Sequence, residues 1–122
     1  MSPLFLVMAG GALGAGARYL FGIAAADALG PVFPWGTWGV NIIGGLLMGL
    51  LAALVADSAD TWRLFLGVGV LGGFTTFSAF SLELFDMFAR GEPALGAAYA
   101  MSSVAGSVVA LWAGATLARS LA

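Results

Sequence analysis

The stretch Gly72–Ser81, which reads GGFTTFSAFS and runs directly into Leu82 and Glu83, decides how this chain folds. It lies inside an apolar segment, and yet it contains two adjacent glycines, four hydroxyl residues and three phenylalanines. A glycine pair weakens a helix and lets another backbone approach, and hydroxyl groups can bond the carbonyls that a break sets free. The stretch therefore predicts a membrane-spanning helix that is broken near its middle.

The composition places the whole chain in a membrane. Of its 122 residues, 61% are hydrophobic and 8% are charged, and the mean hydropathy is +1.06. A soluble domain usually carries about 25% charged residues. The chain has no cysteine and no histidine, which excludes disulfides, thiol chemistry and histidine acid–base catalysis. Because no nucleophile has a basic partner and no basic run is present, we expect neither an enzyme nor a nucleic-acid-binding protein.

Four segments are long enough to cross a lipid bilayer, which takes about 20 mostly apolar residues. They are residues 3–26, 35–56, 61–89 and 94–120, separated by short turns rich in glycine, proline and acidic residues. These turns are too short to hold a soluble domain. The sequence therefore predicts an all-α integral membrane protein, a single domain over residues 1–122 with four transmembrane helices and both termini on one side.

The basic residues give no clear orientation to these spans. Arg63 and Arg119 fall on the side of the termini, and Arg18 and Arg90 fall on the other side. Because the two sides carry equal numbers of basic residues, the positive-inside rule predicts no preferred orientation. One interpretation is that weaker cues still insert the chain in a single orientation. The other is insertion in both orientations, which permits an antiparallel, dual-topology homodimer. Because four short helices can hardly enclose a polar path alone, we expect an oligomer.

Two polar residues lie inside segments that otherwise suit lipid. The Asn41 amide offers two N–H donors that could bind an anion, although a hydrogen bond between helices would use the same group. Arg18, close to the end of the first span, could extend its guanidinium to the membrane surface. Alternatively, Arg18 could be a fixed positive charge that draws anions into a vestibule.

Aromatic residues in the broken stretch have two possible uses. Phe77 and Phe80 are three residues apart, so they share a face of any helix that they occupy. Phenylalanines on a membrane helix commonly serve packing or lipid contact. The positive edge of an aromatic ring can, however, favour an anion where water is scarce.

The remaining candidates are hydroxyl and carboxylate groups. Ser81 belongs to the broken stretch, and Ser107 shares a face of the last span with Ser103, so these hydroxyls could form a polar track or bond neighbouring helices. Glu83 is a candidate functional residue because carboxylates are costly inside membranes. Tyr99 could offer its O–H group to a pathway or lie in an aromatic belt at the membrane interface.

Three motifs together resemble the CrcB/Fluc family of fluoride channels. They are Gly10–Tyr19 (GGALGAGARY), Gly36-Thr37 with Asn41 and Gly44, and Gly72–Ser81 with Glu83. The resemblance implies a small, multi-pass protein of the bacterial inner membrane that exports fluoride passively down its gradient. It also implies an antiparallel, dual-topology homodimer with two pores.

By motif position, the resemblance also assigns roles to individual residues. It implies that Phe77 and Phe80 line the fluoride path, that Asn41 is the pore asparagine, and that Arg18 is the arginine of the first span. The other implied pathway residues are Ser81, Ser107, Tyr99 and Glu83. A structural sodium ion at the dimer interface would be held by backbone carbonyls of Gly72 and Thr75 from both subunits. Ala79 departs from the family pattern, because a hydroxyl residue often stands there.

Two other functions remain open from the residues themselves. The first is a small proton-coupled exporter, for which Glu83 is the candidate exchangeable carboxylate. The second is a structural membrane-assembly protein that transports nothing, although this would leave the clustering of hydroxyl and phenylalanine residues unexplained.

Overall fold

The computed structural model describes residues 2–55 and 60–121, and within these ranges all regular structure is helical. Its elements are α1 (Pro3–Leu29), α2 (Trp35–Leu54), α3 (Asp60–Trp62), a π-helix (Arg63–Leu71), α4 (Gly72–Phe74), α5 (Ser78–Ala89) and α6 (Pro93–Leu121). The stretch from Asp60 to Ala89 forms the third of four helical spans that are long and apolar enough to cross a membrane. The predicted all-α architecture with four spans is thereby confirmed.

The ends of the first two spans differ slightly from the prediction. Helix α1 continues through Asp27 to Leu29 and ends at Gly30, whose φ of +86° is accessible to glycine at low cost. A single aspartate does not stop a helix, whereas this glycine followed by Pro31 does. Helix α2 ends at Leu54. The predicted extension to Ala56 and most of the turn that follows lie outside the described residues.

The third span is broken where the glycine- and hydroxyl-rich stretch predicts a break. Helix α4 ends at Phe74, Thr75 is extended with φ −88° and ψ 160°, and α5 begins at Ser78. Before the break, Arg63–Leu71 is wound as a π-helix, which the sequence did not lead us to expect. In a π-helix each N–H bonds the carbonyl five residues back, and such segments are frequent at functional sites.

Small residues bring the backbones of neighbouring helices into direct contact. Helix α1 packs along the π-helix and α4, where a Cβ atom on Gly14 would overlap the Val70 carbonyl. Helix α2 packs along α6, where a Cβ on Gly45 would lie 2.5 Å from the Ser107 carbonyl oxygen. The glycine stripes therefore hold together two helix pairs, which are α1 with the broken third span and α2 with α6.

Few side chains are fully enclosed, and many large apolar ones face outward from the spans, as lipid contact requires. The best-packed cluster contains Phe80, Met87 and Tyr99, against which Phe33 and Trp38 also pack. This cluster joins α5 and α6 on the far side of the break. It fixes the positions of two aromatic residues that the sequence singles out as functional candidates.

Candidate functional site

A groove of about 410 Å³ runs between α2, the helix break and α6. We call it the aromatic groove and define it by its polar and aromatic lining. These lining residues are Asn41, Thr75, Thr76, Phe77, Phe80, Ser103 and Ser107. The groove therefore brings together four residues that the sequence predicts for the pathway, which are Asn41, Phe77, Phe80 and Ser107.

The two phenylalanines of the groove are held very differently. Their ring centroids are 5.6 Å apart and the ring planes are inclined by 44°. Phe80 is only 7% exposed and packs on Tyr99 with ring centroids 5.1 Å apart, whereas Phe77 lies in the break and is 76% exposed. Phe80 is thus a fixed wall of the groove, and Phe77 presents its ring to whatever covers the groove.

Helix α6 contributes two hydroxyls to the groove, one turn apart. Among the described residues Ser103 Oγ is buried and has no hydrogen-bond partner. A buried hydroxyl without a partner costs about 1–3 kcal/mol, so native proteins rarely keep one without a use. The sequence points to Ser107 as a pathway residue, with Ser103 only as the serine that shares its helix face. The spacing of four residues was the signal that both face the same groove.

Asn41 pairs with the backbone of the break through both ends of its amide. Asn41 Nδ2 donates to the Thr76 carbonyl at 2.9 Å, and the Thr76 N–H donates to Asn41 Oδ1 at 2.8 Å. The amide oxygen, which would repel an anion, is thereby occupied. Because an amide nitrogen carries two N–H groups, one remains beyond the bond to Thr76. Asn41 thus links helices, and it also lines the groove.

The break removes the usual donors from several backbone carbonyls, among them those of Gly72 and Thr75. In a continuous helix, the Thr76 and Ala79 N–H groups would bond the carbonyls of Gly72 and Thr75. Here the Thr76 N–H donates to Asn41 Oδ1, and the Ala79 N–H donates to Thr76 Oγ1 at 3.2 Å. The two carbonyls that the family resemblance assigns to sodium are therefore among those whose helical donors are directed elsewhere.

Arg18 lies outside the aromatic groove and touches the break from the side of α1. Its Nε donates to the Gly73 carbonyl at 3.0 Å, and the contact is partly buried. The side chain also borders a separate cavity of about 360 Å³ that reaches Thr37 and Thr76. Arg18 is thus engaged with the peptide backbone beside this cavity.

Glu83 and Tyr99 form a second cluster next to the groove. Tyr99 Oη donates to Glu83 Oε1 and Thr37 Oγ1 donates to Glu83 Oε2, both at 3.1 Å. Tyr99 is fully buried, so its side chain does not belong to an aromatic belt at the membrane interface. Glu83 also borders a cavity of about 370 Å³ that Asp86 and Arg90 line. The contact between Phe80 and Tyr99 connects this cluster to the aromatic groove.

Ser81 is placed apart from the other predicted pathway residues. Its Oγ donates to the Phe77 carbonyl at 2.9 Å, and the side chain is exposed outside the groove lining. This bond occupies a carbonyl at the start of α5.

In the part of the chain that the structure describes, no three acidic residues cluster so as to hold a metal ion.

Comparisons with known proteins agree with the sequence motifs. The family described as CrcB-like protein, Camphor Resistance (CrcB), matches residues 5–115. A protein of Sphingopyxis alaskensis named fluoride-specific ion channel FluC is 52% identical over 99% of this chain and 98% of its own length. Proteins of the same name from Phenylobacterium zucineum and Caulobacter vibrioides are 55% and 50% identical, each over 98% of this chain and 97% of their own length.

Proposed function

The chain belongs to the CrcB-like protein family, and from this we propose that it is a fluoride-selective ion channel. It is a multi-pass membrane protein, and we place it in the bacterial inner membrane. Fluoride would leave the cytoplasm passively down its electrochemical gradient, and this export would lower fluoride toxicity. The names of the full-length relatives from three bacteria support this proposal.

The single observation that carries the proposal is the chemistry of the aromatic groove. Fluoride is small and strongly hydrated, so a narrow path must replace its water with protein donors. The groove offers an Asn41 N–H, the rings of Phe77 and Phe80, and the Ser103 hydroxyl, which has no partner among the described residues. Within residues 2–55 and 60–121, no lysine or arginine lines the groove. Donors without a fixed charge can bind fluoride and still release it, as conduction requires.

The cluster of Glu83, Tyr99 and Thr37 fits a role at one end of the same path. A free carboxylate would repel fluoride, but here both carboxylate oxygens accept hydrogen bonds from hydroxyl groups. Tyr99 is also in ring contact with Phe80. We assign Glu83 and Tyr99 to the pathway as the groups that orient hydroxyls next to the groove. Ser107 extends the hydroxyl track along α6, whereas the Ser81 hydroxyl is bonded to the Phe77 carbonyl.

An antiparallel, dual-topology homodimer would complete the path. The groove is open on one side and Phe77 is 76% exposed there, so a second copy could cover it. The even distribution of the arginines supports insertion in both orientations. Because the chain has no cysteine, a single Ser120→Cys variant can report the topology in intact cells. Labelling of about half the molecules by a membrane-impermeant thiol reagent supports dual topology, and labelling of all or none contradicts it.

A structural sodium ion fits the freed carbonyls of the break. The Gly72 and Thr75 carbonyls have lost their helical donors, and unwound backbone carbonyls bind sodium in other membrane proteins. In the dimer, both subunits would contribute these oxygens. When bound there, sodium would supply positive charge near the pathway and join the two broken spans.

The deciding experiment measures fluoride and chloride efflux side by side from liposomes that hold the purified protein. We expect fast fluoride efflux, little chloride leak, and loss of fluoride efflux in Phe80→Ile. Phe85→Ile is the matched control, because Phe85 is an exposed phenylalanine on the same helix and outside the groove.

Two other outcomes would overturn the channel proposal. Fluoride movement that follows an imposed pH gradient and stops in Glu83→Gln would support the proton-coupled exporter. A folded protein that moves no ion would support a structural role. The names of the relatives do not favour either outcome.

A further inference from the structure

The backbones of α1 and the broken span touch directly at the level of the break. A Cβ on Gly73 would lie 2.5 Å from the Gly11 carbonyl oxygen and 3.1 Å from the Ala15 nitrogen. Gly14 lies opposite, where a Cβ would be 2.8 Å from the Phe74 nitrogen. Arg18 is one turn beyond Gly14 on the same face of α1, and helical side chains lean toward the N-terminus. The Arg18 guanidinium therefore reaches the Gly73 carbonyl.

The Arg18 contact replaces a backbone hydrogen bond that the break removes. In a continuous helix the Phe77 N–H would bond the Gly73 carbonyl. Because α4 ends at Phe74, that turn is not completed, and Arg18 Nε donates to the Gly73 carbonyl instead. Hydrogen bonds from a charged donor are stronger than those between neutral groups. Arg18 from α1 thus binds the last turn before the break, at Gly73 of α4, and Asn41 from α2 binds Thr76 within the break.

We propose that Arg18 is a positioning residue that keeps the third span unwound at the break through its hydrogen bond to the Gly73 carbonyl. The bond between Arg18 and Gly73 keeps the Thr76 peptide in register with Asn41, and so keeps Phe77 and Phe80 at the aromatic groove. On this view the essential part of Arg18 is the Nε–H donor and its position. If Arg18 instead attracted anions into a vestibule, its positive charge would be essential and its Nε–H donor would not. The inference rests on the proposed function only for its transport measurements.

Three substitutions separate the donor from the charge. The amide nitrogen of Arg18→Gln lies the same number of bonds from Cα as the arginine Nε, so the donor is kept and the charge is lost. The side chain in Arg18→Met is as long as that in Arg18→Gln, but it has neither the donor nor the charge. Arg18→Lys keeps the charge and moves the donor one bond outward. Arg119→Met removes an exposed arginine at the end of α6 and is the control for the loss of positive charge alone.

The first measurement is the fluoride efflux rate of each variant from liposomes. Loss of a hydrogen bond to a charged group changes an equilibrium by roughly tenfold to a hundredfold. We expect Arg18→Met to lower the rate by at least roughly tenfold, while Arg18→Gln and Arg119→Met keep most of it and Arg18→Lys falls below Arg18→Gln. If Arg18→Lys conducts like the original chain while Arg18→Gln fails like Arg18→Met, the charge is essential and the proposal is wrong.

The second measurement is hydrogen exchange of the amides from Thr76 to Ala79 in the purified protein. We expect faster exchange at these amides in Arg18→Met and unchanged exchange in Arg18→Gln. Equal exchange in Arg18→Met and the original chain would overturn the positioning role, whatever happens to transport. If Arg18→Met does not fold, the comparison of Arg18→Gln with Arg18→Lys still decides between donor and charge. If the original chain moves no fluoride, the channel proposal fails, while the exchange data still test the contact.

Discussion

Asn41 and Thr76 form a closed pair across 35 positions of sequence, in which each residue both donates and accepts a hydrogen bond. Asn41 Nδ2 donates to the Thr76 carbonyl at 2.9 Å, and the Thr76 N–H returns a bond to Asn41 Oδ1 at 2.8 Å. The pair fastens α2 to the one unwound segment of the third span. Because the amide oxygen of Asn41 is occupied in this pair, the group that remains for the aromatic groove is an N–H donor and not an acceptor.

Asn41→Asp should remove one of the two hydrogen bonds of this pair without changing the size of the side chain. A carboxylate can still accept from the Thr76 N–H, but it cannot donate to the Thr76 carbonyl, and it brings negative charge to the groove. We expect fluoride efflux to fall by at least roughly tenfold, because the loss of the buried hydrogen bond to the Thr76 carbonyl costs about 1.4 kcal/mol. Efflux from liposomes checks the result, and a rate equal to that of the original chain would contradict it.

Ser103→Ala should change activity and stability in opposite directions. The Ser103 hydroxyl is buried without a partner among the described residues, so its removal relieves a desolvation cost of about 1–3 kcal/mol. We therefore expect an unchanged or higher unfolding temperature together with slower fluoride efflux. Ser120→Ala is the control, because Ser120 Oγ donates to Leu117 at the exposed end of α6. Loss of both stability and efflux in Ser103→Ala would show that this hydroxyl is structural.

Tyr99→Phe should weaken the cluster around Glu83 while preserving the aromatic packing. The substitution removes the O–H donor to Glu83 Oε1 but keeps the ring that packs on Phe80 and Phe33. Leaving a partly buried carboxylate oxygen without its donor costs about 1–3 kcal/mol, so we expect a lower unfolding temperature and slower fluoride efflux. Tyr19→Phe, at an exposed tyrosine of α1, should change neither quantity. If Tyr99→Phe and Tyr19→Phe had the same unfolding temperature and efflux rate, the hydrogen bond from Tyr99 to Glu83 would contribute to neither.

Gly14→Ala and Gly16→Ala should have opposite effects on stability although they lie two positions apart on α1. A Cβ on Gly14 would overlap the Val70 carbonyl of the packed span, whereas a Cβ on Gly16 meets no atom within 4 Å. Alanine is favoured over glycine inside a helix by about 1 kcal/mol. Thermal unfolding in detergent should show Gly16→Ala at or above the original temperature and Gly14→Ala well below it. A similar result for both would mean that α1 does not pack on the third span in this way.

Exchange of sodium for potassium should destabilise the assembly if the freed carbonyls of Gly72 and Thr75 hold sodium. Both carbonyls have lost their helical donors to the pairing of Thr76 and Ala79 with side chains. We expect a lower unfolding temperature and slower fluoride efflux after exhaustive exchange into potassium, with recovery when sodium returns. The same unfolding temperature and efflux rate in both cations would remove sodium from the proposal and leave the channel function untouched.

The sequence by itself determined the membrane class, the four spans and the position of the break. These features depend on local properties, because hydropathy over about 20 residues identifies a span. A pair of glycines beside hydroxyl residues likewise predicts a break within Gly72–Ser81, and the helix is interrupted there, after Phe74. The motifs also carried the family resemblance, which the comparisons confirm. The π-helix before the break escaped prediction, because apolar composition does not separate bonds to the fifth residue from bonds to the fourth.

Only the tertiary structure decided what each polar group bonds. Asn41 reaches Thr76 and Arg18 reaches Gly73 because glycines let α1 and α2 approach the broken span. Ser103 has no partner among the residues that the structure describes, and its surroundings come from three separate segments that only the packing of the helices brings together. Spacing along the chain fixes which residues share a helix face, but the depth at which two helices meet fixes which donors are used and which remain free.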